Sequence, residues 1–336
     1  MVNALFVAGG AKDLQQKLSQ LLTLEDWGLA LRGPAQRARN LIAKLDRDHD
    51  GILQPREWRD RMATSIVEKI DPMKGALNLE LIESFFRGQR NYLSLESPQL
   101  ILEPAIGTAA LAAAAKSGLR SAPTLVYLAN GISDGTHTIP YSIVAALDPS
   151  QAAPLGPFLP PGVEKLADDQ IILVDWKESP LRAKAGEKIQ LTYFSPEFYG
   201  DPKEVTESFR FAGFVPLSGI ADAPDITPEF PGITDKLSID QWDPPFPFDN
   251  KRVKQTDDRY WKDYRTTPKA YVTLATGQRL WASRFGNLTS VRLAPAIGTD
   301  LQSAAARFRQ ELLKQLDPVQ GGFVFDNVKQ DALEAS

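Results

Sequence analysis

The run PAIGTAALAAAAKSG at residues 104–118 has an echo in PAIGTDLQSAAARFRQELLKQ at residues 295–315. Each copy comes after an apolar stretch, SPQLILEP (97–104) in the first case and LTSVRLA (288–294) in the second, and each leads into an alanine-containing helical pattern. In the second copy Leu301, Ala305, Phe308, Leu312 and Leu316 share one helical face. Thr299 with Gln302 reads as a capping box, and Asp317-Pro318 stops the helix. The spacing predicts two related βα units, one from each side of a long intervening segment, lying side by side as an α+β layer.

Between these units the chain changes character. Seventeen of the 25 prolines fall between Pro140 and Pro268. Proline is excluded from helix interiors and central strands, so this middle should hold short strands and irregular loops. TLVYLAN and TIPYSIVAAL flank the turn-like NGISDG and suggest a hairpin, while IILVDW, KIQLTYF, ESFRFAGFVPL and KAYVTLA read as strands. Near the start, Leu14, Leu18, Leu21 and Leu22 recur at helical spacing, and LNLELIESFF reads as a further amphipathic helix.

Composition narrows the function classes. With 336 residues the chain is long enough for one large or two modest domains, and 43% hydrophobic residues suffice for a core. Lys plus Arg number 38 against 42 Asp plus Glu, so bulk charge gives no grip on nucleic acid or anionic lipid. There is no cysteine, hence no disulfide, thiolate zinc site or Cys nucleophile, and only two histidines, His49 and His137. No apolar run approaches the roughly 18 residues needed to span a bilayer, and the start, MVNALFVAGGAKD, lacks the basic and apolar regions of a signal peptide.

One motif carries explicit chemistry. DRDHDGILQPRE (46–57) places Asp46, Asp48, Asp50, Gly51, Ile52 and Glu57 at the spacing of an EF-hand calcium loop. Three short carboxylates at alternate positions face a common centre, Gly51 allows the sharp turn, Ile52 offers its backbone carbonyl, and Glu57 closes the cage with two oxygens. Gln54 sits where a water-mediated ligand is usual. Leu41, Ile42 and Leu45 precede the loop, and Trp58 and Met62 come after it, as apolar helix faces. A solvated acidic turn is the plainer alternative. EF-hands pack in pairs, and IDPMKGALNLELIE aligns Gly75 and Leu77 with the glycine and aliphatic positions of a second loop. Its ligand slots then hold Ile70, Pro72, Lys74 and Leu81, so it reads as a partner hand that packs without chelating.

Other candidates are weaker. There is no phosphate-binding loop and no H-E-x-x-H. Asp134, His137 and Ser142 invite a triad, but a loop histidine among polar neighbours is the commoner case. Asp222, Asp225, Asp240, Asp243 and Asp249 lie among prolines and aromatics, where turn and cap roles outweigh an acid/base pair. Trp242, Phe246, Trp261 and Tyr264 read as wedges on a β core before they read as a contact surface.

From about residue 90 onward the chain resembles the extracytoplasmic region of FtsX-like ABC transporter permeases, the group with a MacB-like periplasmic core. The resemblance rests on LANGISDGTHTIPYSIVAAL, ESFRFAGFVPLSGIADAPDITPEFPGI, QWDPPFPFD and DDRYWKDYRTTPKAYVTLATGQRLWASRFGNLTSVRLAP. FVAGGAKDLQQKLSQLLTLEDWGLALR is similar to the segment just after the first membrane helix in that family, and FVFDNVKQDALEAS to the segment just before the second. The EF-hand-like segment is not part of the family pattern and looks inserted.

The resemblance implies an α+β fold, with a porter-like layered subdomain from 1–33, 91–150 and 270–336 and a β-rich subdomain over 151–269, to which the EF-hand-like motif adds a helical insertion over 34–90. It implies chain ends on one face, directed to the inner membrane from its periplasmic side. It also implies a non-catalytic role relaying ATP-driven motion, a cytoplasmic ATP-binding subunit reached through membrane helices absent from this stretch, and an envelope protein, lipoprotein or peptide as partner or substrate. The full transporter is expected to be a dimer, with no nucleic acid involved. The competing expectation is a secreted, calcium-stabilised hydrolase using loop carboxylates, which requires a deep cleft holding two acids of divergent pKa.

Overall fold

The computed structural model describes residues 21–59, 62–196, 202–296 and 298–323. In chain order the first elements are β1 (Ala30–Arg32), α1 (Pro34–Leu45), β2 (Ile52–Leu53), α2 (Pro55–Trp58), α3 (Thr64–Ile70), β3 (Leu77–Asn78) and α4 (Leu79–Gln89). Then come β4 (Leu93–Glu96), α5 (Pro104–Lys116), β5 (Arg120–Ser133), β6 (Thr138–Ala146), β7 (Gln170–Asp175), β8 (Lys188–Phe194) and β9 (Glu204–Pro216). The last are α6 (Gln255–Tyr264), β10 (Ala270–Val272), α7 (Leu274–Trp281), β11 (Ser290–Ala294) and α8 (Leu301–Gln315). The fold is α+β.

A single strand of 14 residues, β5, belongs to two structures at once. Its first five residues pair antiparallel with β11, which pairs with β4, which pairs with β1. One face of this four-stranded layer is apolar and carries α5 and α8: Leu95, Val291 and Leu293 lie under Ala110, Phe308 and Leu312 in one buried cluster. The two echoing units are therefore β4–α5 and β11–α8, with neighbouring strands and contacting helices. Their registers differ. Pro104 is the first residue of α5, whereas Pro295 precedes α8 by a turn, and Asp300, not Thr299, caps that helix by accepting from Ser303 N at 2.8 Å. The first strand is LSLE at 93–96, and SPQLILEP supplies only an isolated bridge, Leu102 to Leu288.

Beyond residue 124, β5 turns into a barrel. It pairs with β6, β6 runs parallel to β10, β10 antiparallel to β7, β7 parallel to β9, and β9 antiparallel to β8. The ring closes through Gly131↔Thr192, Ile132↔Leu191 and Ser133↔Gln190. Leu125, Val144, Ile171, Leu191, Phe209 and Val272, one from each strand, share a buried cluster that fills it. Trp281 at the end of α7 enters this cluster and stacks on Tyr127 at 5.3 Å. Closure removes exposed sheet edges. The expectation of a β-rich middle did not include a closed six-stranded barrel, and three of its strands, β5, β6 and β10, come from outside 151–269.

The hairpin expectation holds for β5 and β6, with its tip at Asp134–His137, since Gly131 to Ser133 are still in the strand. Trp242 and Trp261 are buried and meet edge to face at 4.9 Å, as wedges should. The helical pattern through Leu14 and Leu18, and all of FVFDNVKQDALEAS after Phe323, lie outside the described residues. No helix among the described residues is long and apolar enough to cross a membrane.

Candidate metal centre

Residues 34–89 form two helix–loop–helix units joined by a two-stranded ribbon in which Ile52 faces Asn78 and Leu53 faces Leu77. Pro34 starts α1 where its missing N–H costs nothing. Leu45, Leu53, Trp58, Leu77, Ile82 and Phe86 make one buried core between the units. Trp58 Nε1 donates to the carbonyl of Gly75 at 3.2 Å, tying the first exiting helix to the second loop. The Leu53–Leu77 pair is the match anticipated from the aliphatic positions.

The first loop gathers three of the five expected ligand residues. Asp46, Asp48 and Asp50 each place a carboxylate oxygen within 4.8 Å of the others. Gly51 has φ +80°, the left-handed conformation the turn needs, and its N–H donates to Asp46 Oδ2 at 2.8 Å. Asp46 is 7% exposed, and its Oδ1 is buried with no hydrogen-bond partner. A buried acceptor left unpaired costs about 1–3 kcal/mol, and a hard cation would satisfy it. Ile52 lies on β2, its N–H donating to Asp50 Oδ1 at 2.8 Å.

Glu57 stands apart from the triad of carboxylates. It is 1% exposed, and its oxygens accept from Arg47 N at 2.8 Å and Gln54 N at 2.9 Å, closing the loop on itself. Each oxygen keeps a second lone pair. Asp48 is held by Arg56 at 2.6 Å, an exposed ion pair worth at most about 1 kcal/mol and readily displaced.

Charge state favours a cation. Burial alone would raise Asp46, but the N–H groups of Gly51, His49 and Asp50 together hold its pKa below the ordinary value. The N–H groups of Arg47 and Gln54 lower Glu57 against the opposing effect of burial. Both carboxyls are ionised at neutral pH, as metal ligands must be. The donors are all oxygen, which suits calcium or magnesium rather than a softer ion.

The second loop differs from its expected alignment at one place. Asp71, not Ile70, accepts from the loop glycine as Asp46 does, taking Gly75 N at 2.8 Å, and its other oxygen accepts from Met73 N at 3.0 Å. The acceptor-to-glycine spacing is four residues here and five in the first loop, so its entering half is one residue shorter. Met73 is 88% exposed and Leu81 43%, and neither can chelate.

The remaining sequence candidates separate. Asp134 and His137 meet at 3.4 Å in an exposed hairpin tip, but Ser142 Oγ donates to Pro140 O and is buried, so no triad forms. Asp249 caps the turn at Asn250–Arg252, as expected of a turn residue. Asp222 and Asp225 do something else: they receive Lys69, Ser65, Arg37, Arg90 and Tyr92 in a buried network. Burial raises the pKa of Asp222 despite Lys69. Burial also acts to raise Asp225, but Arg90, Arg37 and Tyr92 overcome it and bring the pKa down to about 2. No local signal marked these two, because their partners lie more than 130 residues away in sequence.

A cavity of about 440 Å³ lies between the start of α5 and the end of α8, lined by Trp27, Glu103, Ile106, Leu316, Asp317 and Phe323 among others. Neither Asp222 nor Asp225 lines it. The acids of divergent pKa and this cavity are thus in different places.

Together these features describe an α+β protein with a closed barrel and a paired helix–loop–helix module bearing a three-aspartate cluster. No known protein family matches this chain, and no curated protein does.

Proposed function

We propose that this chain is the non-catalytic extracytoplasmic domain of an FtsX-like ABC transporter permease, carrying an EF-hand pair that binds one calcium ion. The observation that carries the reading is where the described chain ends lie. Trp27 and Phe323 meet edge to face at 5.0 Å, and Trp27 packs so closely on Gly321 that a Cβ there would come within 2.3 Å of its ring. Segments near the two limits of the described residues that lie side by side suit a domain carried on two stalks from one membrane surface.

The layer with α5 and α8 corresponds to the porter-like subdomain, and the barrel to the β-rich one. Strand β5 runs unbroken through both, so movement of the layer reaches the barrel through a continuous backbone. ATP hydrolysis by a cytoplasmic subunit drives that movement, and an envelope protein, lipoprotein or peptide receives it. Asp46, Asp48, Asp50, the Ile52 carbonyl and Glu57 hold the calcium, whose chemistry here is structural cross-linking of the loop. In this reading the domain sits on the periplasmic side of the inner membrane in a dimeric transporter. Against the hydrolase reading, Asp222 and Asp225 lie in a buried ion-pair network and not in the cavity between α5 and α8.

The native gene and its full-length product test the proposal. Apolar spans of about 18 residues or more on both sides of this stretch, and co-purification with an ATP-hydrolysing subunit, are the expected result. A native gene without flanking spans overturns it.

A further inference from the structure

A short segment of the barrel side holds the helix–loop–helix module, together with contacts of α3 on α6 and of Lys44 with Glu229 at 3.5 Å. Asp222 and Asp225 lie in the 3-10 turns Gly219–Asp222 and Pro224–Ile226. That segment is built into the barrel side: Tyr271 of β10 donates to Ala221 O at 3.2 Å, and Thr266 donates to Pro224 O at 2.8 Å. Ile220, Ala223 and Ile226 share a buried cluster with Tyr271.

Three helices of the module converge on it. Arg37, in the first turn of α1, brings Nε to 3.3 Å from Asp225 Oδ2. Ser65 and Lys69 of α3 donate to the two oxygens of Asp222. Arg90, capping the end of α4, donates to Asp225 Oδ1 at 2.6 Å and to the carbonyl of Asp222. Tyr92 donates to Asp225 Oδ2 at 2.8 Å.

The charge balance makes these carboxylates hard to replace. Arg37, Arg90 and Arg292 are 7%, 2% and 0% exposed, and each keeps at least one buried guanidinium nitrogen without a partner. The nearby Glu96 is engaged by Arg32 at 3.3 Å. Cations are in surplus, so removing one carboxylate leaves buried charge that no neighbour answers.

Geometry links this clamp to the calcium loop. Helix α1 has no glycine or proline after its first residue, and it runs from Arg37 directly into Asp46. Nine residues at about 1.5 Å each make a rod about 14 Å long, pinned at one end and bearing the first ligand at the other. Helix α4 starts at the ribbon that pairs with Ile52 and ends at Arg90. Calcium binding in a sensor hand is tied to the angle between its helices, so pinning their far ends sets the state in which the ligands converge.

We propose that Asp225, with Asp222, is a coupling site that holds the module's helices in the arrangement calcium requires, so that calcium in the Asp46–Glu57 loop and the grip on the barrel segment strengthen each other. This rests on the calcium reading above and extends it to regulation: loading stiffens the junction between module and barrel. Coupling of this kind is reciprocal.

Calorimetric titration of calcium chloride into the wild type, Asp225→Asn, Lys69→Met and Glu57→Gln tests it, with near-ultraviolet circular dichroism reporting the fold. The wild type should bind one ion, Asp225→Asn should bind it about tenfold more weakly, and Lys69→Met should shift the same way by less. Calcium should also slow hydrogen exchange at the amides of Ala221 and Ile226 in the wild type and not in Glu57→Gln. A wild type that takes up no calcium defeats the calcium reading itself. A wild type that binds, alongside Asp225→Asn and Lys69→Met within twofold of it or unchanged exchange at residues 221 and 226, defeats the coupling alone. Lys69 is partly exposed, so its variant keeps the test open if Asp225→Asn does not fold.

Discussion

Acidification should strip the module from the barrel through Asp225. The folded pKa of this carboxyl is about 2 against an ordinary 3.8, held down by Arg90 and Arg37 in spite of burial. A depressed folded pKa means stability that is present above the unfolded value and lost as pH falls through the folded one. The difference of nearly two units corresponds to about 2–3 kcal/mol, at about 1.4 kcal/mol per unit. The side chain is 19% exposed, which makes this an upper figure. About two thirds of it is gone by pH 2.5. Asp134 titrates in the same window, and Asp222 and Glu96, whose pKa values burial raises, act in the opposite sense. The difference between wild type and Asp225→Asn isolates the one group. Urea unfolding monitored by tryptophan fluorescence at pH 5, 4, 3 and 2.5 should show the wild type's advantage shrinking by roughly 1–2 kcal/mol. An advantage that stays constant over that range refutes the assigned role.

The geometry sets the outcome of three further substitutions. Glu57→Gln should weaken calcium uptake by more than about 100-fold, beyond the loss typical of groups behind the ligands, as read by calorimetry. Gly277→Ala should cost about 1–3 kcal/mol in urea unfolding, because a Cβ there would lie 2.1 Å from the Ala146 Cβ where α7 meets the barrel. Lys269 is 5% exposed, and burial brings its pKa down to about 8 despite Asp257. The folded state then releases its proton first, so the wild type should gain up to about 3 kcal/mol relative to Lys269→Met as pH rises from 8 to 10.5, measured by denaturant midpoints.

The features legible in advance were local. The DRDHDG run fixes its own loop, since three carboxylates and a glycine at set offsets need no distant partner to cluster. The Leu53–Leu77 match follows from aligning two nearby loops, and α5, β11 and α8 from apolar periodicity beside a repeated turn, whereas the strand of the first unit is LSLE and not SPQLILEP. The one-residue shortening of the second loop escaped notice because Ile70 and Asp71 are adjacent, and only backbone geometry tells which carries the turn.

Amino-acid order alone was enough for the α+β class, for α5, β11 and α8 of the two layered units, and for the residues of the acidic loop. The closing of six strands into a barrel, and the role of Asp222 and Asp225 as a buried clamp rather than turn residues, were settled by the folded chain. The reason is the same in both cases. Barrel closure joins β5 to β8 and β6 to β10 across long stretches of chain, and the clamp joins residues 37, 69 and 90 to residues 222 and 225. Such pairings are set by which surfaces meet once the chain has collapsed, and periodicity within a short window carries no record of them.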